Sequence, residues 1–368
     1  TVRFVDPKKH YQAHKKEYDA ALEDVLLRGD LILRKDLEKF EKRFAAFVGT
    51  KYAIGVNSGF DALHLSLKAA GIGTQDEVIT VAHTFVATIA AIVHTRANPI
   101  LIDVGKDFNM DVEKLKAAIT KKTKAIIPVH LNGRICDMEA IGQIAREHNL
   151  IVVEDAAQAL GAAYTGKRAG AFGLTGCFSL YPFKILGAFG DGGMVTTNSK
   201  KMREMLRMLR DHGQDRAKGA VMLYGFNARL DNVQAAILNV KFNYYPSWIK
   251  RRREIAKLYY KKLRHIRNLA LPHFEGKEYF DVYQNYVIRA ERRDALKSYL
   301  TRKGIETLIS WQKPVHHQKG LNLQHFRLPE TVRLCREVLS LPLNTELTDE
   351  EIADVCAAIQ NFYDTHKS

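Results

Sequence analysis

Asp155 follows the run Leu150-Ile151-Val152-Val153-Glu154 and leads into Ala156-Ala157-Gln158, so a carboxylate stands at the end of an aliphatic stretch. A carboxylate against such a wall needs a partner. A protonated pyridine nitrogen would serve, because the paired charge keeps the ring able to accept electrons; a helix cap or a metal ligand is the alternative on this segment alone. Lys184 ends Ser179-Leu180-Tyr181-Pro182-Phe183-Lys184 and precedes the glycine-rich 187–193. Most lysines of a basic chain are surface groups, yet Phe183 and Ile185 flank this one and few charges are near. Desolvation there lowers the amine's pKa and favours the neutral form that imine chemistry needs. The glycines let backbone close around a flat ligand. Their loose glycine pattern lacks the strand-then-helix context of a dinucleotide loop.

Two further stretches sit where a strand gives way to a helix. Asn57-Ser58-Gly59 follows the apolar run 52–56, which aims free N–H groups and a helix dipole at one spot. That is a phosphate cup, although on this motif alone a plain helix cap is the more ordinary reading. His83-Thr84-Phe85 follows 77–81. Phe85 could cover one face of a flat ring, although a phenylalanine taken alone is more ordinary as core.

These residues need a scaffold that gathers strand ends. Short β-branched runs at 77–81, 99–104, 125–129, 150–154, 176–180 and 193–197 alternate with helical patterns at 85–95, 112–119 and 138–147. Near-continuous hydrophobicity in such strands predicts burial on both faces, hence an α/β fold with helices over a mostly parallel sheet. Ligands in such folds bind at the strand tips. Helical segments follow at 202–209 and 232–238, then a charged stretch at 248–263. After a boundary near 245, a strand at 283–288, a helix at 293–302 and a terminal helix at 349–362, capped by Thr348, predict a smaller α+β domain. The expected division is an N-terminal segment 1–20 packing on the small domain, a large domain 21–245 and a small domain 246–368.

Composition narrows the function classes. The 368 residues are 46% hydrophobic and 26% charged, an ordinary globular balance. The formal charge of +15 suits an anionic partner, but its lysines and arginines are spread through helical segments, which argues against nucleic acid. Cys136, Cys177, Cys335 and Cys356 lie far apart, so neither a metal cluster nor a disulfide framework is predicted, and a reducing compartment fits. No apolar run is long enough to span a bilayer and no apolar signal core opens the chain, so the expectation is a cytoplasmic protein.

At Glu154 to Gln158, Ser179 to Lys184, Gly190-Asp191-Gly192-Gly193, and Gly225-Phe226-Asn227-Ala228-Arg229-Leu230-Asp231 before Gln234-Ala235-Ala236, the sequence resembles the DegT/DnrJ/EryC1/StrS sugar aminotransferases. Thr84 to Thr88 and Ile126 to Leu131 add to the likeness, which runs over almost the whole chain. The resemblance implies fold type I of the pyridoxal 5'-phosphate enzymes, with a seven-stranded, mostly parallel sheet. It implies that Lys184 carries pyridoxal phosphate as a Schiff base and serves as the base. It further implies Asp155 on the pyridine nitrogen and Gln158 on the ring hydroxyl. Ser58, Gly59 and Ser179 would take the phosphate, and Phe85 would stack on the ring. The loop of Asn227 and Arg229 would reach a neighbouring subunit's site in a homodimer, with His316 and Arg229 as substrate residues. The implied reaction moves an amino group from an amino acid, usually glutamate, to a nucleotide-linked keto sugar.

Phe60-Asp61-Ala62-Leu63 resembles the subset acting at C3' of dTDP-linked keto-deoxyhexoses; C4' amination of a UDP- or GDP-sugar is the alternative. Ile185 and Ser310-Trp311-Gln312 depart from the common family pattern, the latter where the sugar nucleotide is expected. His316 could equally be structural. A related dehydratase has histidine at the lysine position, against which Lys184 argues. A non-catalytic cofactor-binding regulator and a nicotinamide oxidoreductase complete the rivals, and the last lacks its fingerprint.

Overall fold

The computed structural model describes residues 1–272, 276 and 278–365. Seven strands make the central sheet: β1 (Tyr52–Val56), β2 (Glu77–Val81), β3 (Asn98–Ile102), β4 (Thr123–Ile127), β5 (Ile151–Asp155), β6 (Thr175–Ser179) and β7 (Gly193–Thr197). Their order is β1-β7-β6-β5-β4-β2-β3. β7 runs antiparallel to both neighbours, and the other six strands share one direction. Adjacent residues serve opposite faces: Ile79 and Ile126 belong to one apolar cluster, Val78 and Ile127 to the other. Both faces are therefore core, which is why these strands read as unbroken hydrophobic runs rather than alternating ones.

Helices α1 (Pro7–Ala13), α2 (Lys15–Arg28) and α3 (Lys35–Val48) precede the sheet. The crossovers are α4 (Gly59–Ala69), α5 (Val86–His94), α6 (Val112–Ala118) and α7 (Met138–Glu147), and α8 (Lys200–Arg210) follows β7. α9 (Asn232–Leu263) is one continuous helix of 32 residues, so position 245 falls inside it. Its Leu238, Phe242 and Tyr245 pack in the large core, whereas Ile255, Tyr259 and Leu263 belong to a second core. The segments 232–238 and 248–263 are thus joined across Pro246, which lacks the N–H for a helical bond. In that turn the Ser247 hydroxyl donates to the Tyr244 carbonyl at 2.6 Å.

The second core holds a three-stranded antiparallel sheet of β8 (Leu269–Ala270), β9 (Tyr286–Ala290) and β10 (Val338–Leu341), flanked by α10 (Arg293–Arg302), α11 (Pro329–Glu337) and α12 (Asp349–Thr365). Thr348 caps α12 in a reciprocal box: its Oγ1 accepts from Glu351 N, and Glu351 Oε2 accepts from Thr348 N. The chain start lies on this unit, with Val2 bridged to Ile305 and His10 bonded to Glu346. Asp103, beyond β3, accepts from Glu330 N, Thr331 N and Thr331 Oγ1, so it caps the start of α11. Among the described residues, no helix is long and apolar enough to cross a membrane.

Candidate active site

The tips of β5 and β6, in the middle of the sheet, and of β1, at its edge, bring Asp155, Ser179 and Ser58 to one side of the sheet. Asp155 ends β5, buried, and its carboxylate accepts from Thr88 Oγ1 at 2.7 Å and from Ala157 N at 3.2 Å. Burial raises its pKa above the usual carboxylate range, opposed by the Thr88 hydroxyl, the Ala157 amide, the nearby Lys184 amine and His130. Thr88 is held in turn by Thr84 Oγ1 at 2.9 Å. Directly before Asp155, the Glu154 carboxylate accepts from the backbone N–H of Gly170, Phe172 and Gly173, each at 2.7 Å. His130 Nε2 is 3.0 Å from Glu154, while His130 Nδ1 accepts from Cys136 N. One carboxylate fixes the turn leading to β6 and its neighbour faces the site.

Lys184 follows β6 in a loop whose first turn closes through Lys184 N to Tyr181 O at 2.8 Å. The residue keeps part of its surface open, but protein atoms crowd its amine. That desolvation pulls the pKa down to about 8, with Asp155 pulling the other way. An ordinary lysine is almost wholly protonated at neutral pH, whereas this one has an accessible neutral form. Ser179, Ala157, Gln158 and Lys184 line a single small cavity. Gln158 Oε1 accepts from Asn132 N at 2.8 Å, which orients the carboxamide and leaves Nε2 to donate elsewhere.

Ser58 is the N-cap of α4 and accepts from Asp61 N at 3.0 Å, so the capping role read from the sequence is present. Ala62 N bonds to Ser58 O, and the first-turn N–H groups of Gly59 and Phe60 have no intrahelical acceptor. A Cβ on Gly59 would stand 2.8 Å from Ser179 Cβ, and one on Gly193 would stand 2.2 Å from Ser58 O. The absence of side chains at both glycines brings the helix start against the β6 tip. Phe85, the N-cap of α5, is 61% exposed, so the ordinary reading as core does not hold and an aromatic face is open beside the Thr88–Asp155 pair.

Asn227 is exposed and bridged to Asp211; Arg229 pairs with Asp211 at 3.3 Å and bridges to Val56. Within one chain their segment borders β1, as Asn57 N donates to Ala228 O. His316 is fully buried, with neither ring nitrogen hydrogen-bonded, and burial pulls its pKa down to about 4. Trp311 packs against His83 at the β2 tip, ring centroids 5.2 Å apart, which brings the 310–312 departure to the strand-tip side. Sequence reasoning missed Thr88, Gln284 and Lys241. Gln284 bonds backbone on both sides of Lys184, and Lys241 Nζ donates to Gly187 O at 2.6 Å, with burial pulling its pKa down to about 8. Thr88 alone had a signal, a hydroxyl at helical spacing from Thr84.

The donor set fits pyridoxal phosphate: a readily neutralised amine, a buried carboxyl group for a ring nitrogen, an amide donor and a helix start whose first N–H groups lack intrahelical acceptors. Known proteins agree. The DegT/DnrJ/EryC1/StrS aminotransferase family matches residues 12–360. The chain is similar to a pleiotropic regulatory protein of Geobacillus stearothermophilus, 41% identical over 98% of both chains. It is also similar to the dTDP-3-amino-3,4,6-trideoxy-alpha-D-glucose transaminase of Streptomyces venezuelae, 40% identical over 98% of this chain and 96% of that one. The crystal structure of S. venezuelae DesV in complex with a ketimine intermediate superposes with a TM-score of 0.95, at 40% identity and 98% coverage of each chain. With its fold, its desolvated lysine amine and its carboxylate at the β5 tip, the chain belongs to the DegT/DnrJ/EryC1/StrS aminotransferase family.

Proposed function

We propose that this chain is a pyridoxal-phosphate-dependent aminotransferase that moves an amino group from L-glutamate to C3' of a dTDP-linked keto-deoxyhexose. The observation that carries the reading is the desolvated Lys184 amine within electrostatic range of Asp155, beside the α4 N-terminus. When bound, pyridoxal phosphate supplies an electrophilic carbon and an electron-withdrawing ring. Lys184 Nζ would hold that group covalently, and its neutral amine would accept a proton from the substrate carbon and return it. Asp155 meets the ring nitrogen and keeps it protonated. Gln158 Nε2 donates to the ring hydroxyl. Gly59 and Phe60 N–H, with Ser58 and Ser179, take the phosphate, and Phe85 covers one ring face.

A homodimer with shared sites is part of the proposal. Tyr181, Phe183 and Phe189 are exposed around the lysine loop, and Tyr224 stands fully exposed beside the Asn227 segment, as expected of surfaces a second copy covers. Four free buried thiols favour the cytoplasm. The regulatory name of one relative favours a second reading, a cofactor-binding protein without turnover. Purified protein loaded with pyridoxal phosphate and L-glutamate is offered a panel of dTDP-, UDP- and GDP-linked 3-keto and 4-keto sugars, with mass detection of amine gain. Amination of the dTDP-linked 3-keto sugar is the expected result. A glutamate half-reaction with no sugar accepted favours another acceptor, and no half-reaction favours the regulatory reading.

A further inference from the structure

Lys184 has peptide groups on either side, and one side chain reaches both. Gln284 Oε1 accepts from Ile185 N at 3.1 Å, and Gln284 Nε2 donates to Phe183 O at 3.1 Å. A carboxamide offers an acceptor and a donor in one uncharged, planar group. Gln284 is buried and borders the cavity shared by Lys184, Gln158 and Ser179. It comes from the small-domain side of the molecule, just before β9.

The residue is itself held from two directions. Arg252, buried in α9, donates from Nε to Tyr283 O at 2.8 Å and from its terminal nitrogen to Gln284 O at 2.7 Å. From the other direction Val282 N donates to Gly133 O at 3.0 Å, and a Cβ on Gly133 would stand 2.7 Å from Tyr283 N and 2.8 Å from Gln284 N. Gly133 also has φ of +94°, a conformation open to glycine and strained for other residues. The turn containing Gly133 bears Asn132, whose N–H orients Gln158. One short segment, 282–284, is thus locked to the turn that aims Gln158 and to the loop that aims Lys184.

We infer that Gln284 is a positioning residue for the amine of Lys184, bridging the two peptides that flank it and tying the lysine's placement to the small domain. The inference rests on the reading of Lys184 as the amine that holds the cofactor. It predicts an effect on turnover rather than on substrate binding, because Gln284 bonds backbone and leaves the open side of the loop unchanged.

The test uses full-length Gln284→Met, which keeps shape and loses both bonds, and Gln284→Glu, which keeps an acceptor and loses the donor. In cofactor-free protein, Ile185 N–H should exchange with solvent about tenfold faster in Q284M than in wild type, the factor lost with one hydrogen bond. Loaded with pyridoxal phosphate, Q284M should show kcat about 10- to 100-fold lower, with KM for L-glutamate within about threefold. Q284E should be intermediate and approach wild type as pH falls, since protonation restores a donor toward Phe183 O. Wild-type kcat in Q284M, or wild-type exchange at Ile185, overturns the inference. If Q284M does not fold, a Q284E deficit that is the same at every pH overturns it. If wild type itself does not transaminate, the functional reading fails instead, and the Ile185 exchange rate together with the rate of covalent pyridoxal phosphate uptake still decides whether Gln284 sets the amine.

Discussion

Replacing Thr88 by valine removes the hydroxyl that donates at 2.7 Å to Asp155 and leaves a similar shape. Both residues are buried, so water does not readily take the hydroxyl's place. A hydrogen bond to a charged group contributes about 1.5–3 kcal/mol. Keeping Asp155 ionised in Thr88→Val should become harder by that amount, which lowers the rate about 10- to 150-fold if the ionised carboxylate is required. Burial already raises the Asp155 pKa, and Thr88 is among the groups that oppose the rise. Losing Thr88 raises it further. The deficit should therefore be largest on the acid side and shrink as pH rises and the carboxylate ionises again. Single-turnover reaction of the loaded enzyme with L-glutamate, followed spectroscopically across pH, reads this directly, and Thr88→Ser should stay near wild type. Wild-type rates in T88V, or a deficit of equal size at every pH, would refute the coupling of Thr88 to Asp155.

Asp155→Asn should lower turnover at least about 100-fold by removing the ring nitrogen's charge partner, and this variant also has a stability signature. A carboxyl whose folded-state pKa is raised contributes stability below its ordinary value and loses it as pH rises. In the cofactor-free protein D155N should therefore melt higher than wild type near neutral pH, by roughly 2 °C, with the difference closing in acid; a lower melting temperature at neutral pH contradicts the buried-anion assignment. Covalent uptake of pyridoxal phosphate by cofactor-free protein should speed up as pH rises through about 8, where the Lys184 amine becomes neutral. Stopped-flow absorbance checks this, and an uptake rate that climbs only toward an ordinary lysine pKa contradicts it.

The strands were legible because burial on both faces leaves unbroken aliphatic runs, and every predicted strand of the central sheet is present within about two residues, the usual boundary error. The reversed direction of β7 and its insertion between β1 and β6 were not legible, since an aliphatic run carries no sign of its direction. The sequence style changes from a helical pattern at 232–238 to a charged stretch at 248–263, which suggests a boundary near 245, while packing on two cores keeps α9 whole across Pro246. The desolvation of the Lys184 amine and the burial of Asp155 were legible from charge set in apolar surroundings. The residues that hold them were not: Gln284 meets Ile185 from 99 positions away, and Thr88 meets Asp155 from 67 away. Such polar contacts depend on the fold and leave no periodic trace in the sequence.

Lys184 has an internal rival for the cofactor in Lys241, which is buried and likewise has its pKa pulled down to about 8. Borohydride reduction of the loaded protein, followed by digestion and peptide mass mapping, records which amine was bonded. A pyridoxyl group is expected on Lys184 and on no other lysine. A label on Lys241, or spread over surface lysines, would contradict it.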